Sequence, residues 1–311
     1  MRTVFFGTPE LALPSLAAVA ARHEVTAVVC QPDRPQGRSK TPVPPPVKVW
    51  ALEHGIPVCQ PEKLNDGTFA AWLRAQAPEL CALAAYGRLL KQPILDIPSK
   101  GWLNVHPSLL PRWRGPSPIQ TAILEGDAVT GVTIMRLTLE MDAGDILLQE
   151  SMPIGPEENA AELTERLAEA GAQLLIEGME RVSRGTAEFR PQDNAAAAYC
   201  AMFEKQHGQI RWGGTAQAIH NRVRACIPWP VAHCLYRGEV CRIHRSAVVE
   251  ETAEARPGTV TRVEKDRVLV AAGQGQLAIL QFQAPGKKAL PMGEYLRGHR
   301  IEVGEQFEDI I

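Results

Sequence analysis

Apolar runs of strand length alternate with helix-like stretches through the first half of the chain. The strand candidates are residues 3–6, 25–30, 80–84 and 103–105, and the helix candidates are residues 11–21 and 68–75. Strands that are buried on both faces read as continuous apolar runs, and their alternation with helices is typical of parallel sheets. The pattern therefore predicts an α/β fold with a doubly wound, parallel-rich sheet.

The sheet pattern ends in a predicted hairpin and a long helix. Residues 131–138 and 145–154 are β-like runs joined by the turn sequence EMDAG. Residues 162–184 have the spacing of an amphipathic helix. Four leucines fall near one face of that helix: Leu163, Leu167, Leu174 and Leu175.

The pattern changes after this helix, and we predict a second domain there. Proline, polar residues and a run of alanines mark a linker, placed at residues 191–204 between a first domain at 1–190 and a second at 205–311. A short helix at residues 216–224 is followed by five β-like runs with turn residues between them: residues 232–236, 240–244, 258–263, 267–270 and 276–282. Five short strands of this kind predict a small, OB-like β-barrel.

Composition and charge narrow the class of protein. With 311 residues, 45% of them hydrophobic and 22% charged, the chain can bury a core and is long enough for two domains. A net charge of −2 excludes a uniformly basic nucleic-acid coat. Residues 1–204 carry 18 basic and 24 acidic residues, whereas residues 205–311 carry 15 and 11. The basic second half fits a surface for an anionic partner, although an ordinary charge fluctuation explains it equally well.

Several classes of protein are not expected. No apolar stretch of about 18 residues is available to cross a membrane, and the first apolar run is too short for a secretion signal. Seven cysteines without a C-x-x-C pair indicate neither a disulfide framework nor a zinc site. We expect a cytoplasmic, monomeric protein that has no membrane partner and binds no metal.

A proline-rich basic segment fits none of the predicted elements. Residues 31–48 contain six prolines, and their basic side chains, Arg34, Arg38, Lys40 and Lys48, stand against one acid, Asp33. Such a loop could grip phosphates, with the prolines limiting the entropy lost on ordering. A solvated loop that is basic for solubility is the competing interpretation, and the sequence does not decide between them.

The first strand lacks a dinucleotide fingerprint. The turn after it reads Gly-Thr-Pro-Glu, with Pro9 and Glu10 where a pyrophosphate-binding loop needs glycine. We therefore expect no nicotinamide or flavin dinucleotide, and a plain strand-to-helix turn is the favoured interpretation.

Asn104 and His106 lie at the end of a predicted strand. Residues i and i+2 point to the same face, so both side chains are expected in the crevice at the carboxyl end of the sheet. An amide donor beside an imidazole suits acyl-type transfer, because one polarises a carbonyl and the other handles a proton. A lone histidine at a strand end is more often structural, but this pairing favours a functional site.

Asp142, in the predicted hairpin turn, is the best candidate for a carboxylate partner of His106. A carboxylate beside the imidazole would orient the ring and favour its protonated form. Two solvated acids in an ordinary turn, Asp142 and Asp145, explain the same residues equally well.

The chain resembles a known family of enzymes. Residues 103–120 (LNVHPSLLPRWRGPSPIQ) are similar to the signature of formyltransferases that use 10-formyltetrahydrofolate. The segments FGTPE, QPDRPxGR, AYG and GVTIM match in order, and the early basic loop resembles that of family members acting on tRNA.

The resemblance implies a Rossmann-like catalytic domain followed by an OB-like domain. It implies transfer of the formyl group of 10-formyltetrahydrofolate to the amino group of methionyl initiator tRNA. The implied catalytic residues are Asn104, His106 and Asp142. The implied folate contacts are Ser108, Leu109, Leu110, Pro111 and Tyr86, and the implied tRNA contacts are Arg34, Arg38 and Lys40. No metal and no covalent enzyme intermediate are implied.

Three other functions compete with this one. A formyltransferase acting on a UDP-amino-sugar shares the fold and the three catalytic residues, but it needs only a small pocket rather than a basic loop. A non-catalytic RNA-binding protein would need none of the three residues. A hydrolase of formyl-folate would have no acceptor for a second domain to position.

Overall fold

The computed structural model describes residues 1–35, 41–251 and 254–310, and it divides into two compact units. The first unit comprises Met1–Pro118, Val129–Pro153 and Thr164–Ala201. The second unit comprises Ile119–Ala128, Ile154–Leu163 and Met202–Ile311. The predicted domain boundaries, 1–190, 191–204 and 205–311, stay a prediction.

The first unit is built on a seven-stranded sheet with the order β5-β2-β1-β6-β7-β8-β9. Its strands are β1 (Arg2–Gly7), β2 (Glu24–Val29), β5 (Val58–Cys59), β6 (Leu80–Ala84), β7 (Trp102–His106), β8 (Val129–Arg136) and β9 (Ile146–Pro153). The first five strands in this order pair in parallel, and β8 and β9 are antiparallel to their neighbours. Two further short strands, β3 (Arg34–Pro35) and β4 (Pro42–Val43), pair with each other. The prediction of a parallel-rich α/β sheet is confirmed.

Helices connect the parallel strands: α1 (Leu13–Arg22), α2 (Pro46–Glu53), α3 (Thr68–Ala75) and α4 (Gln92–Leu95). Helix α1 begins two residues later than predicted, because a 3₁₀ turn at Glu10–Ala12 precedes it and Pro14 occupies its first turn, where a missing N–H is tolerated. On the sheet, the ring of Phe6 packs edge-on against Tyr86 and Trp102, with centroid distances of 5.3 and 4.8 Å. This apolar packing supports the strands whose carboxyl ends carry the candidate site.

Two helices contribute residues to both units, α5 (Pro118–Leu124) and α6 (Ala160–Arg184). Helix α6 starts two residues before its predicted limit because Asn159 caps it. The Oδ1 atom of Asn159 accepts from the Ala161 amide at 2.9 Å, and the Glu162 carboxylate accepts from the Asn159 amide at 3.0 Å. These reciprocal bonds satisfy amides that the first helical turn leaves unpaired.

The second unit is an antiparallel sheet with the order β12-β13-β14-β11-β10-β16, and β15 pairs with β14. Its strands are β10 (Ala232–Tyr236), β11 (Glu239–Val249), β12 (Val260–Val263), β13 (Val268–Ala271), β14 (Gln276–Gln283), β15 (Leu290–Pro291) and β16 (Phe307–Glu308). Its helices are α7 (Ala216–Ala225) and α8 (Met292–Gly298). A bridge between Thr259 and Gln306 joins the segments beside the two outer strands, so the sheet curls back on itself. The prediction of a small β domain is confirmed, and β11 is longer than the predicted run.

Two further features bear on the sequence predictions. Within the described ranges, none of the helices is long and apolar enough to cross a membrane. All seven cysteines are free thiols.

Candidate active site

The site begins with two buried polar side chains on β7. Asn104 is 5% exposed and His106 is 4% exposed, and both point to the same face of the strand. In the sheet register Asn104 lies between Leu83 of β6 and Met135 of β8. Burial of an amide and an imidazole at the carboxyl end of a parallel strand fits the usual location of ligand sites in such sheets.

His106 is oriented by a backbone carbonyl. Its Nε2 atom lies 3.0 Å from the carbonyl oxygen of Trp113. Since a carbonyl oxygen can only accept, Nε2 carries a proton and donates. Trp113 has a φ of 62°, in the left-handed region that a bulky residue rarely adopts. Such conformations cost about 1–3 kcal/mol and concentrate at functional sites, so the turn that holds this carbonyl is consistent with a functional role.

The structure brings Asp142 to the other side of the same ring. The Oδ1 atom of Asp142 lies 3.7 Å from Nδ1 of His106, and the two side chains are 15% and 6% exposed. The Oδ2 atom of Asp142 accepts from the amide of Gly115 at 2.8 Å. The sequence left open whether this acid is a solvated turn residue, and the contacts show that its carboxylate faces the imidazole.

Gly115 is required at its position by its surroundings. Its φ is 121°, and a Cβ atom there would lie 2.3 Å from the carbonyl oxygen of Cys200. Only glycine fits so close an approach of two backbone segments, and this approach sets the direction of the Gly115 N–H that binds Asp142.

The segment predicted to contact folate is tied to the sheet through its polar atoms. The Ser108 hydroxyl donates to the carbonyl of Arg112 at 2.7 Å, and the Leu110 amide donates to Thr133 at 3.1 Å. Ser108 and Leu110 are buried, whereas Leu109 and Pro111 are half-buried. The last two side chains are therefore the more accessible ones, and folate binding by this segment stays a prediction.

Tyr86, also predicted to contact folate, has its ring in the hydrophobic core at 1% exposure. Burial raises the pKa of its hydroxyl to about 12, and the nearby Arg88 guanidinium opposes this rise. Its backbone carbonyl accepts from Gln31 at 2.9 Å and from the Thr8 hydroxyl at 3.2 Å. This hydrogen bonding links the loop after β6 to the loops after β1 and β2.

The described part of the basic loop presents one exposed arginine. Arg34 lies on β3 and lines a cleft of about 520 Å³, whose other lining residues are Gln31, Pro32, Glu62, Gly87 and Arg88. Lys48 is paired instead, with its Nζ 2.8 Å from the Asp33 carboxylate. Arg38 and Lys40, the other two predicted tRNA contacts, lie outside the described residues.

Several groups at the site were not anticipated from the sequence. The Trp113 carbonyl and the Gly115 amide are backbone atoms, so residue type alone gave no signal for them. Gln192 and Arg114 also contact the site region, and Gln192 fell in the segment interpreted as a linker. The proline-rich turn around residues 107–118 was the one available hint that backbone groups are held there.

Known proteins resemble this chain along nearly its whole length. Residues 1–179 match the family model described as formyl transferase, and residues 202–300 match the formyl transferase C-terminal domain. The methionyl-tRNA formyltransferase of Moorella thermoacetica is 45% identical over 306 residues, covering 98% of each chain. That of Chloroflexus aggregans is 44% identical over 306 residues, covering 97% of this chain and 99% of its own. The chain therefore belongs to the formyl transferase family, and these full-length relatives within it are methionyl-tRNA formyltransferases.

Solved structures show the same fold at lower identity. The sugar 3N-formyl transferase WlaRD superposes with a TM-score of 0.70 at 18% identity, over 93% of this chain and 99% of its own. HypX from Aquifex aeolicus in complex with tetrahydrofolic acid gives 0.66 at 19%, over 98% of this chain and 50% of its own. At these identities the likeness concerns the fold alone.

Proposed function

We propose that this enzyme transfers the formyl group of 10-formyltetrahydrofolate to the free amino group of methionyl initiator tRNA, for translation initiation. Full-length identity of 40–45% to methionyl-tRNA formyltransferases supports the acceptor. The observation that carries the chemistry is the His106 imidazole, held between the Trp113 carbonyl and the Asp142 carboxylate beside the buried Asn104 amide.

The reaction joins the amino nitrogen to the formyl carbon and releases the donor's nitrogen. Attack by the neutral amine places negative charge on the formyl oxygen, and collapse breaks the old carbon–nitrogen bond while the amine's proton ends on the departing nitrogen. Asn104 and protonated His106 stabilise the developing oxyanion by donating hydrogen bonds. Removing one such donor typically lowers kcat by about 10²–10³.

The geometry assigns different tasks to the two ring nitrogens of His106. Nε2 donates to Trp113 and is therefore already used. Nδ1 lies 3.7 Å from Asp142, too far for a hydrogen bond, so its proton remains available to the substrate oxygen. The Asp142 carboxylate then acts through its fixed position beside the ring rather than by accepting that proton.

Substrate contacts complete the proposal. Ser108, Leu109, Leu110, Pro111 and Tyr86 form the region that receives the folate. Arg34, Arg38 and Lys40 contact the tRNA backbone, and basic residues of 205–311 provide further contacts to it. The enzyme acts as a cytoplasmic monomer and requires no metal.

A formyl-transfer assay tests the proposal. With 10-formyltetrahydrofolate as donor, methionyl initiator tRNA, methionyl elongator tRNA and a UDP-amino-sugar are offered separately. Formylation of the initiator tRNA alone is expected. Transfer only to the sugar would support the catalytic residues and contradict the acceptor, and formate release without any acceptor product would contradict transfer itself.

A further inference from the structure

The side chain of Gln192 uses its full hydrogen-bonding capacity within the first unit. Its Nε2 atom donates to the carbonyl oxygens of Asp142 and Gly144, both at 2.8 Å. Its Oε1 atom accepts from Nε and Nη2 of Arg114, at 3.0 and 2.8 Å. An amide has two N–H donors and two acceptor lone pairs, so none is left over.

The orientation of this amide is unambiguous. A guanidinium can only donate and a backbone carbonyl can only accept. Turning the Gln192 amide by 180° would place N–H groups against Arg114 and an oxygen against the two carbonyls. The contacts therefore fix which end of Gln192 faces the loop that carries Asp142.

Arg114 binds the oxygen end of the Gln192 amide. Its side chain is 1% exposed, and its remaining acceptors, the Asn194 amide oxygen at 2.7 Å and the Tyr199 hydroxyl at 3.3 Å, are uncharged. Its backbone is paired as well, since its amide donates to Ala198 and its carbonyl accepts from Cys200, each at 2.8 Å. Burying a permanent cation among neutral groups is costly, and the Arg114 guanidinium offsets this cost by donating several hydrogen bonds that a neutral side chain could not make together.

Gln192 and Gly115 hold Asp142 from two sides. Gln192 binds the backbone carbonyls of Asp142 and Gly144, which form the turn between β8 and β9. Gly115, the residue after Arg114, donates its amide to the Asp142 carboxylate. Asp142 has a φ of 51°, a left-handed conformation that persists only where surrounding contacts impose it.

We propose that Gln192, oriented by Arg114, is a positioning residue that fixes the Asp142 carboxylate against the His106 imidazole. The inference rests on the proposed catalytic role of Asp142. Gln192 touches neither reactant; loosening it lets the carboxylate move, and a misplacement of about 1 Å in a catalytic arrangement costs about 10²-fold in rate.

Gln192→Glu is the most selective variant. A carboxylate still accepts from Arg114, but it cannot donate to the two carbonyl oxygens, so only the side facing Asp142 is broken. We expect kcat to fall about 10- to 100-fold, while KM for the folate and for the tRNA stays within about 3-fold. Gln192→Asn is the uncharged companion, because its shorter amide cannot span Arg114 and both carbonyls, and it is expected to lower kcat in the same direction.

Asn194→Asp is the matched control. It makes the same amide-to-acid change on a neighbouring acceptor of Arg114 that binds neither Asp142 nor Gly144. It is expected to keep kcat within about 2-fold of the wild-type value. A thermal melt of every variant separates loss of fold from loss of rate, and if Gln192→Glu does not fold, Gln192→Asn carries the test.

A double-mutant cycle with Asp142→Asn distinguishes the possible failures. If Gln192 acts through Asp142, the double variant Asp142→Asn with Gln192→Glu turns over no more slowly than Asp142→Asn alone. Additive losses, or a wild-type kcat for both Gln192 variants, would overturn the positioning role while leaving the proposed function intact. A wild-type kcat for Asp142→Asn would overturn the proposed role of Asp142 and this inference together.

Discussion

The Nε2 atom of His106 donates to the backbone carbonyl of Trp113 at 3.0 Å, so the orientation of the imidazole is set by main chain. The contact decides the tautomer of the neutral ring, since the proton must sit on Nε2 for the bond to exist. It also leaves Nδ1 on the side of the ring that faces Asp142.

The first prediction concerns this tautomer. In ¹⁵N-edited NMR spectra recorded at a pH where the ring is neutral, His106 should show the Nε2–H form. His106→Gln identifies the signal by its absence. Observation of the Nδ1–H form would mean that the ring is turned over and that the roles given to its two nitrogens are exchanged.

A substitution of Asn104 should change the rate of catalysis without a matching change in stability. Its side chain is buried on the face of β7 that also carries His106. Asn104→Leu keeps the branched shape and replaces a buried amide by an apolar group, so Tm should change little. The same variant should lower kcat by about 10²–10³ because an oxyanion donor is lost. A large fall in Tm, or a wild-type kcat, would contradict the assignment of Asn104.

His220 in the second unit predicts an acid-sensitive stability. Burial lowers the pKa of His220 from its ordinary value of 6.5, and the charge of Arg224 lowers this pKa further. The hydrogen bond to the Pro156 carbonyl and the Glu157 carboxylate raise the pKa, but the effect of burial is larger. The unfolded chain therefore binds a proton at a higher pH than the folded chain does. Stability should fall as the pH drops from about 6.5 through the lower folded pKa.

Unfolding by urea at pH 7.5 and pH 5.5 measures this effect. His220→Gln should lose less stability between the two pH values than the wild type does, and the matched change at an exposed histidine, His54→Gln, should not alter the difference. Equal pH dependence in the wild type and His220→Gln would show that His220 is not the titrating group.

Substitutions in the basic loop should weaken tRNA binding and reduce its dependence on salt. Arg34→Ala and Arg38→Ala should each raise KM for tRNA and reduce the slope of log affinity against log salt by about one, because each removes one phosphate contact. KM for the formyl donor should not change. Arg74→Ala, at an exposed arginine of α3, is the control, and unchanged tRNA kinetics in both loop variants would remove this loop from the tRNA site.

The sequence predicted the elements that carry strong periodic or apolar signals. Strand β7 was expected at residues 103–105 and spans Trp102–His106, and the predicted strand 80–84 coincides with Leu80–Ala84. Short elements such as Val58–Cys59 were missed, because two-residue strands carry too little pattern and are fixed by pairing with a neighbour.

The site was predictable where residue type and local spacing carry the chemistry. Asn104 and His106 share a strand face by the period of two, whereas Asp142 reaches them only through the β8–β9 hairpin, which is why its spacing was ambiguous. Gln192 was not predictable, since a single amide in an alanine-rich segment resembles a linker residue. Its role depends on a long-range approach between residues 114, 142 and 192 that no local pattern encodes.

The most direct test of the central claim is the single-turnover rate of formyl transfer by His106→Ala, at saturating 10-formyltetrahydrofolate and methionyl initiator tRNA. The variant should transfer formyl at least about 10²-fold more slowly than the wild type, while its tRNA dissociation constant and its Tm stay close to the wild-type values. A wild-type single-turnover rate would contradict the claim that the imidazole held between Trp113 and Asp142 performs the transfer.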